Sequence, residues 1–296
     1  MRVTQSMLSS NMLRNLSASY NKMGKLQEQI TTGKKVNRPS DDPVIVMKGM
    51  GYRMEVDKVA QFKRNLGEVN NYLDSSDAAL DQVGVALKRA GELVNKGANG
   101  TLTEDDREKI MSELNQIREQ IQDMANTKSG DKYIFSGTKT GSPLYDKNAT
   151  PPGYPDMTNP DNAGFGKDIN IEVFDGVSLK VNTNARDLFS DIDDVFETLA
   201  GNPDQAAFSA AMTSFEEQFG EVLTMRADIG ARQNRSEMME NRLESQEGAA
   251  KKQMSENEDI EYEKVITDMI TEEAIHRAAL SVGARIIQPS LVDFLR

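Results

Sequence analysis

Between Val59 and Val94 apolar side chains recur in alternating steps of three and four, through Val59, Phe62, Leu66, Val69, Leu73, Ser76, Leu80, Val83, Leu87, Ala90 and Val94, with Ser76 the polar exception. A seven-residue repeat lays one apolar stripe along an α-helix, and only another long helix can cover such a stripe. No proline occurs from Val44 to Ser142. One helix is therefore predicted from about Val44 to Lys96, roughly 80 Å at 1.5 Å per residue. The rest of the chain has to supply its partners.

Three stretches can do so. After an Asn99-Gly100 turn, Thr103 is placed to cap a helix with Glu104, Asp105 and Asp106 in its first turn, and Ile110, Leu114, Ile117, Ile121 and Met124 continue the seam antiparallel to the long helix. Beyond Asn202-Pro203 a proline-free stretch carries Phe208, Met212, Phe215, Phe219, Val222, Ile229 and Leu243 on one stripe, with Arg226, Gln233, Ser236 and Glu240 at its other positions. That seam reads as dry in its first half and polar in its second. Residues 247–258, with Gly248, have almost no large apolar side chains and are expected to form a joint before a helix over 260–287. There Ile266, Met269 and Ile270 point one way and Ile275, Ala279, Val282 and Ile286 another, so this helix expects two neighbours. At the other end, residues 6–32 form a helix whose stripe is Leu13, Leu16, Tyr20, Met23 and Ile30, interrupted by Gln27 and widened by Leu8, Met12 and Leu26.

The stretch Ile30 to Val46 separates the first two helices. Gly33 suits a left-handed residue ending a helix, followed by Lys34 and Lys35 at the negative end of its dipole. Asp42 reads as the cap of the next helix with Pro43 at its first position, or Ser40 caps one turn earlier. Locally this is a helix-to-helix loop. Gly33, Pro39, Asp41, Asp42 and Pro43 are the residues expected to set its angle. From Gly130 the helical period stops: five of the nine prolines fall between Pro143 and Pro160, and Ile169, Ile171 and Val173 alternate into an Asp175-Gly176 turn that Val177, Leu179 and Val181 leave. A short helix near Ile192 to Leu199 closes this insert. The expected fold is mainly α, an elongated helical bundle or coiled-coil rod built from both chain ends with a small β-rich inserted domain. Its expected domains are 1–38 with 255–296, 39–131 with 203–254, and the insert 132–202.

Composition narrows the function. Apolar residues make up 38% of the chain, charged residues 28%, and there is no Trp, which fits exposed helices better than a thick enzyme core. A net charge of −12 argues against nonspecific binding to nucleic acid or anionic membrane. The charge is polarised: residues 1–40 hold seven Lys/Arg against Glu28, whereas residues 203–273 are strongly acidic, so the two ends are steered together. Exposed pairs contribute only about 0 to 1 kcal/mol each, so apolar faces must hold what charge steers. There is no Cys, hence no disulfide or thiolate chemistry, and no run of apolar residues long enough to span a membrane. The N-terminus lacks the apolar region of a cleaved signal peptide, so any export is expected to proceed without one.

No phosphate-binding, dinucleotide, nucleophile-elbow or zinc-protease motif occurs. His276, the single histidine, reads as a packed or interfacial residue, Asp41 and Asp42 as capping residues, and the Asp156 to Asp168 loop as a polar loop without calcium-ligand spacing. No catalytic, cofactor-binding or metal-ligating residue is therefore assigned, and no cofactor is expected.

The opening MRVTQ, the connector TTGKKVNRPSDDP, the run NLGEVNNYLDSSDAAL from Asn65 to Leu80, and RADIGARQNRSEMMENRLES from Arg226 to Ser245 resemble the terminal regions of the bacterial flagellin family. RPSDDP, YIFSGTKTGSP from Tyr133 to Pro143, and the ending SLVDFLR resemble the members of that family placed at the hook–filament junction. The resemblance implies a structural, extracellular flagellar component without enzymatic activity. In it the two terminal helices pair in an inner assembly domain, the long helices form the rod, and the insert faces outward. Implied partners are copies of the chain itself in a ring, the hook-side junction protein, flagellin and a flagellar export chaperone. Implied assembly residues are Leu13, Leu16, Tyr20, Met23, Ile30, Ile266, Met269, Ile270, Ile275, Val282 and Ile286. The competing readings are a filament-forming flagellin and, from another class, a binding module carried by the insert.

Overall fold

The computed structural model describes residues 5–98, 103–149, 152–200 and 204–286; the predicted Asn99-Gly100 turn, the opening MRVT and the ending SLVDFLR lie outside them. In chain order the elements are α1 (Gln5–Thr32), α2 (Pro43–Gly97), α3 (Glu104–Ala125), β1 (Lys128–Ser129), β2 (Lys132–Tyr133), β3 (Asn170–Phe174), β4 (Val177–Lys180), α4 (Arg186–Leu199), α5 (Gln205–Glu258) and α6 (Tyr262–Ile286). The chain is mainly α. It divides into two compact units, one made of residues 1–58 and 246–296 and the other of 59–245, so α2 and α5 each contribute residues to both.

The 59–245 unit is organised by the heptad stripe of α2, every member of which is buried from Val59 to Val94. Ser76 tolerates this because its hydroxyl donates to the Tyr72 carbonyl at 2.8 Å. A second row seven residues apart, Tyr72, Ala79, Ala86 and Leu93, is buried as well, so α2 has two helical neighbours. One is α3, contributing Ile110, Leu114, Ile117 and Ile121 and capped by Thr103, whose side chain accepts from the Asp106 amide. The other is α5, whose Phe208, Phe215, Val222, Ile229, Ser236 and Leu243 are buried at intervals of seven. The polar half of that seam pairs with α2: Arg226 donates to Asp77 at 2.8 Å and also to Asp81, Gln233 to Asp74 at 2.8 Å, and Ser236 to Asn70.

The insert packs on these helices. β3 and β4 form an antiparallel hairpin pairing Ile171 with Leu179, irregular between Glu172 and Phe174, and closed through Gly176 at φ 69°. Val173 and Leu179 turn inward. A second ladder, β1 with β2, has no visible sequence signature because it is only two residues long on each side. Gly137 of the YIFSG motif adopts φ 56°, and a Cβ there would lie 2.5 Å from the Gly164 carbonyl oxygen, so both conformation and space require glycine. The closing helix begins at Arg186, earlier than its predicted start, because Leu188 and Phe189 join Ile192, Phe196 and Leu199 on one buried stripe. It is tied to α3 by Arg118, which grips Asp193 through two hydrogen bonds of 2.6 and 2.8 Å.

The expected break at 247–258 is absent. α5 continues through Gly248 and ends only at Glu258, supported by the Lys251–Glu247 and Lys252–Glu256 pairs one turn apart. A shortage of large apolar side chains thus marks an exposed stretch of helix here rather than a break, although the boundary between the two compact units falls at its edge, between Ser245 and Gln246.

Because Leu73 is fully buried in the α2 seam, Leu73→Ala should cost about 2 to 5 kcal/mol in denaturant unfolding of the 59–245 transition. Val85→Ala, at a position 63% exposed on the same helix, should stay within about 0.5 kcal/mol of the parent.

Candidate assembly interface

Within the unit formed by the two chain ends, α1 and α6 run antiparallel. Gly33 lies beside Tyr262, the Lys22 ammonium meets Glu272 at 2.9 Å, Tyr20 and His276 rings are 6.3 Å apart, and Met12 lies over Gly283. On α1 the residues turned toward the pair are Met12, Leu16, Ser19, Met23, Leu26 and Ile30, all half-buried; on α6 they are Val265, Met269, Glu272, His276, Ala279 and Gly283. Both series step by four and three, the spacing of a two-helix seam.

The seam therefore differs in part from the sequence reading. Leu16, Met23, Ile30 and Met269 belong to it. Leu13 and Tyr20 are 59% and 68% exposed, because the stripe lies one residue toward Met12 and Ser19. On α6, Met269 and Ala279 share the α1-facing side, whereas Ile266, Ile270, Ile275 and Val282 stay exposed on its two flanks. Ile286 ends α6, and its side chain lies outside the described part of the molecule.

The connector is where the two chain ends are fastened. Gly33 takes φ 71°, as its place after α1 demands. Its carbonyl accepts from the Ile260 amide at 3.1 Å, and the Lys35 amide donates to the Glu258 carbonyl at 2.6 Å, making a one-step antiparallel bridge of Lys34 with Asp259. The Lys34 ammonium donates to Asp259 at 2.7 Å. Farther on, the Asp41 amide closes a turn on the Arg38 carbonyl around Pro39, and the Asp42 carboxylate accepts from the Val44 and Ile45 amides at 2.9 and 3.2 Å, with Pro43 at the first helical position.

Sequence reading missed one member of this joint. Glu258 is buried and held by Arg53 at 2.6 Å and Lys34 at 3.4 Å. It occupies the space a side chain at Gly49 would fill, since a Cβ there would lie 2.1 Å from its Oε1. A glycine inside a long helix was the available signal. The ion pairs set the local titration: the hydrogen bond from Lys34 holds the Asp259 carboxyl below its ordinary value, and the hydrogen bond from Lys22 does the same for Glu272. Among the described residues no group of three His, Cys, Asp or Glu is placed to hold a metal ion, and no helix is long and apolar enough to cross a membrane. What this arrangement offers is helical surface.

The sequence matches the bacterial flagellin N-terminal helical region over residues 3–140 and the bacterial flagellin C-terminal helical region over residues 212–295, and the chain belongs to the bacterial flagellin family. It is 24% identical over 300 residues to flagellar hook-associated protein 3 of Salmonella typhimurium, covering 94% of this chain and 95% of that one. It is 25% identical over 256 residues to the flagellin of Bacillus subtilis, covering 82% of each. A solved structure of a flagellar hook-associated protein from Vibrio parahaemolyticus superposes with a TM-score of 0.65 at 24% identity, covering 74% of this chain and all of that one.

Two predictions follow the geometry. Gly33→Ala places a Cβ in a left-handed residue and should weaken α1–α6 pairing by roughly 1 to 2 kcal/mol, whereas Gly24→Ala, inside α1 with open space around it, should strengthen α1 by about 0.5 to 1 kcal/mol; spin labels on the two helices will report both as opposite changes in the paired fraction. Asp259 and Glu272 have lowered pKa values, so their contribution is complete above the ordinary carboxylate range, near pH 4, and is lost as pH falls through their lowered values. The same labels should show the pair separating on acidification, and a Lys22→Met/Lys34→Met chain should lose much of that acid-dependent change.

Proposed function

We infer that this chain is a structural junction component of the bacterial flagellum, connecting the hook side to the flagellin filament through coupled folding and assembly of its terminal helices. One observation carries the reading: the paired terminal helices leave many large apolar side chains outside the pair. Leu13 and Tyr20 on α1 and Ile266, Ile270, Ile275 and Val282 on α6 are exposed, while among the described side chains of α6 the most deeply buried is a carboxylate, Glu272. At roughly 25 cal/mol per Å² of apolar surface removed from water, those flanks add stability only when neighbouring subunits cover them. The name and near-complete coverage of the Salmonella relative support the junction role. Leu13, Leu16, Tyr20, Met23, Ile30, Ile266, Met269, Ile270, Ile275, Val282 and Ile286 are the proposed assembly residues, with Gly33, Pro39, Asp41, Asp42 and Pro43 as the joint behind them.

In this reading the partners are further copies of the chain in a ring, the hook-side junction protein on one side and flagellin on the other, with a flagellar export chaperone before assembly. The site of action is the extracellular hook–filament junction. The insert at 132–202 faces outward, beyond the rod segments 39–131 and 203–254. A second reading, a filament-forming flagellin, draws on the match to the Bacillus subtilis protein.

Labelling the protein in isolated hook–basal bodies should mark a thin band between hook and filament, and a chain lacking residues 5–32 should leave hooks without filaments. Label along the whole filament, or purified protein that grows long filaments unaided, would overturn the junction role in favour of flagellin.

A further inference from the structure

The face that α6 turns toward α1 is not its most apolar one. Val265, Met269, Ala279 and Gly283 line it, together with Glu272 and His276, while Ile266, Ile270, Ile275 and Val282 lie on the flanks. Hydrophobic burial alone favours turning isoleucines inward and carboxylates outward. Something specific has to oppose that rotation. The structure offers a polar layer in the middle of the pair: Glu272 is buried, and its carboxylate accepts from Lys22 at 2.9 Å. Beside it, the Ser19 side chain helps the Lys22 hydrogen bond hold the Glu272 carboxyl below its ordinary value, His276 Nδ1 is buried without a hydrogen-bond partner among the described residues, and the Tyr20 ring lies against the imidazole. One heptad nearer the chain ends, Met12 reaches over Gly283, where a Cβ would lie 1.8 Å from the Met12 methyl carbon.

We propose that Lys22 and Glu272 act as a face-selecting pair, fixing which side of α6 packs on α1 and so keeping its isoleucine flanks outward for assembly. The inference rests on the assembly reading given above and adds the residues that determine its geometry. A partner helix, or a rotated α6, without a base at the Lys22 layer strands the Glu272 carboxylate, which is the usual way a polar seam residue enforces one arrangement at a cost in stability. Shifting the pair by one heptad does the same: in one direction Asn15 replaces Lys22 and His276 replaces Gly283 beneath Met12, and in the other Gln29 replaces Lys22. The layer makes the pair specific and weak at once, as a helix pair awaiting further neighbours has to be.

The chain has no Cys, so single cysteines report their own accessibility without ambiguity. Met269→Cys probes the seam and Ile270→Cys the flank one residue away, each read by the rate of maleimide labelling in the full-length protein. In the otherwise unaltered chain the flank cysteine should react several-fold faster. Lys22→Glu should abolish or reverse that order by expelling Glu272 from the seam, and Lys22→Glu/Glu272→Lys should restore it, with the 59–245 unfolding transition unchanged in all variants. An order that survives Lys22→Glu, or that the double exchange fails to restore, overturns face selection. Equal rates at both sites before any charge is altered overturn the α1–α6 pair in the free chain, and with it this inference, while the assembly reading stands or falls on the labelling of hook–basal bodies.

Discussion

Residues 225 positions apart in the chain are joined by a single step of β pairing between Lys34 and Asp259. A helix that stops leaves backbone groups without partners, and two helices that stop at the same level can satisfy each other. That is what the bends after α1 and α5 do. Gly33 turns left-handed, its carbonyl takes the Ile260 amide, and the Lys35 amide returns the bond to Glu258. The charges then follow the backbone: Lys34 serves Asp259 and Glu258, Arg53 adds to Glu258, and Gly49 leaves the room. From this fastening α1 and α6 can only run side by side.

What each unit does with its apolar residues separates their roles. In the 59–245 unit most apolar seam positions of α2, α3 and α5 are buried, and polar positions such as Ser76, Arg226 and Gln233 find partners inside the same unit. Among the described residues of α1, by contrast, no side chain reaches full burial, and large apolar groups stay exposed on both terminal helices. A pair of this kind sits at the low end of local stability until something binds it. In the proposed function that incompleteness has a sense, as the property of a subunit whose ends finish folding on their neighbours.

The heptad of α2, the Thr103 cap, the Asp42–Pro43 helix start and the Asp175-Gly176 hairpin were all legible in the sequence, because each rests on local spacing or on a residue with few conformational alternatives. The pairing surface of α1 was legible only to within one residue. Leu13 and Tyr20 are as apolar as Met12 and fit the same period, and nothing local separates a stripe that faces a partner in the chain from one that faces solvent. The end of α5 was misplaced because residues 247–258 lack large side chains, while helix propensity and charge pairs along the exposed surface carry it on to Glu258. The polar layer at Lys22 and Glu272 was invisible for a different reason: a carboxylate at a heptad position looks like an interruption until its partner 250 residues away is known.

The central claim is that the terminal helices owe their stability to assembly and the 59–245 unit does not. Amide hydrogen exchange of the full-length protein, measured free and within isolated hook–filament junctions, tests it most directly. Amides of residues 59–245 in the described helices should be protected to a similar degree in both states, while those of α1 and α6 should exchange rapidly in the free chain and slow by orders of magnitude on assembly. Equal and strong protection of α1 and α6 in the free chain would contradict it.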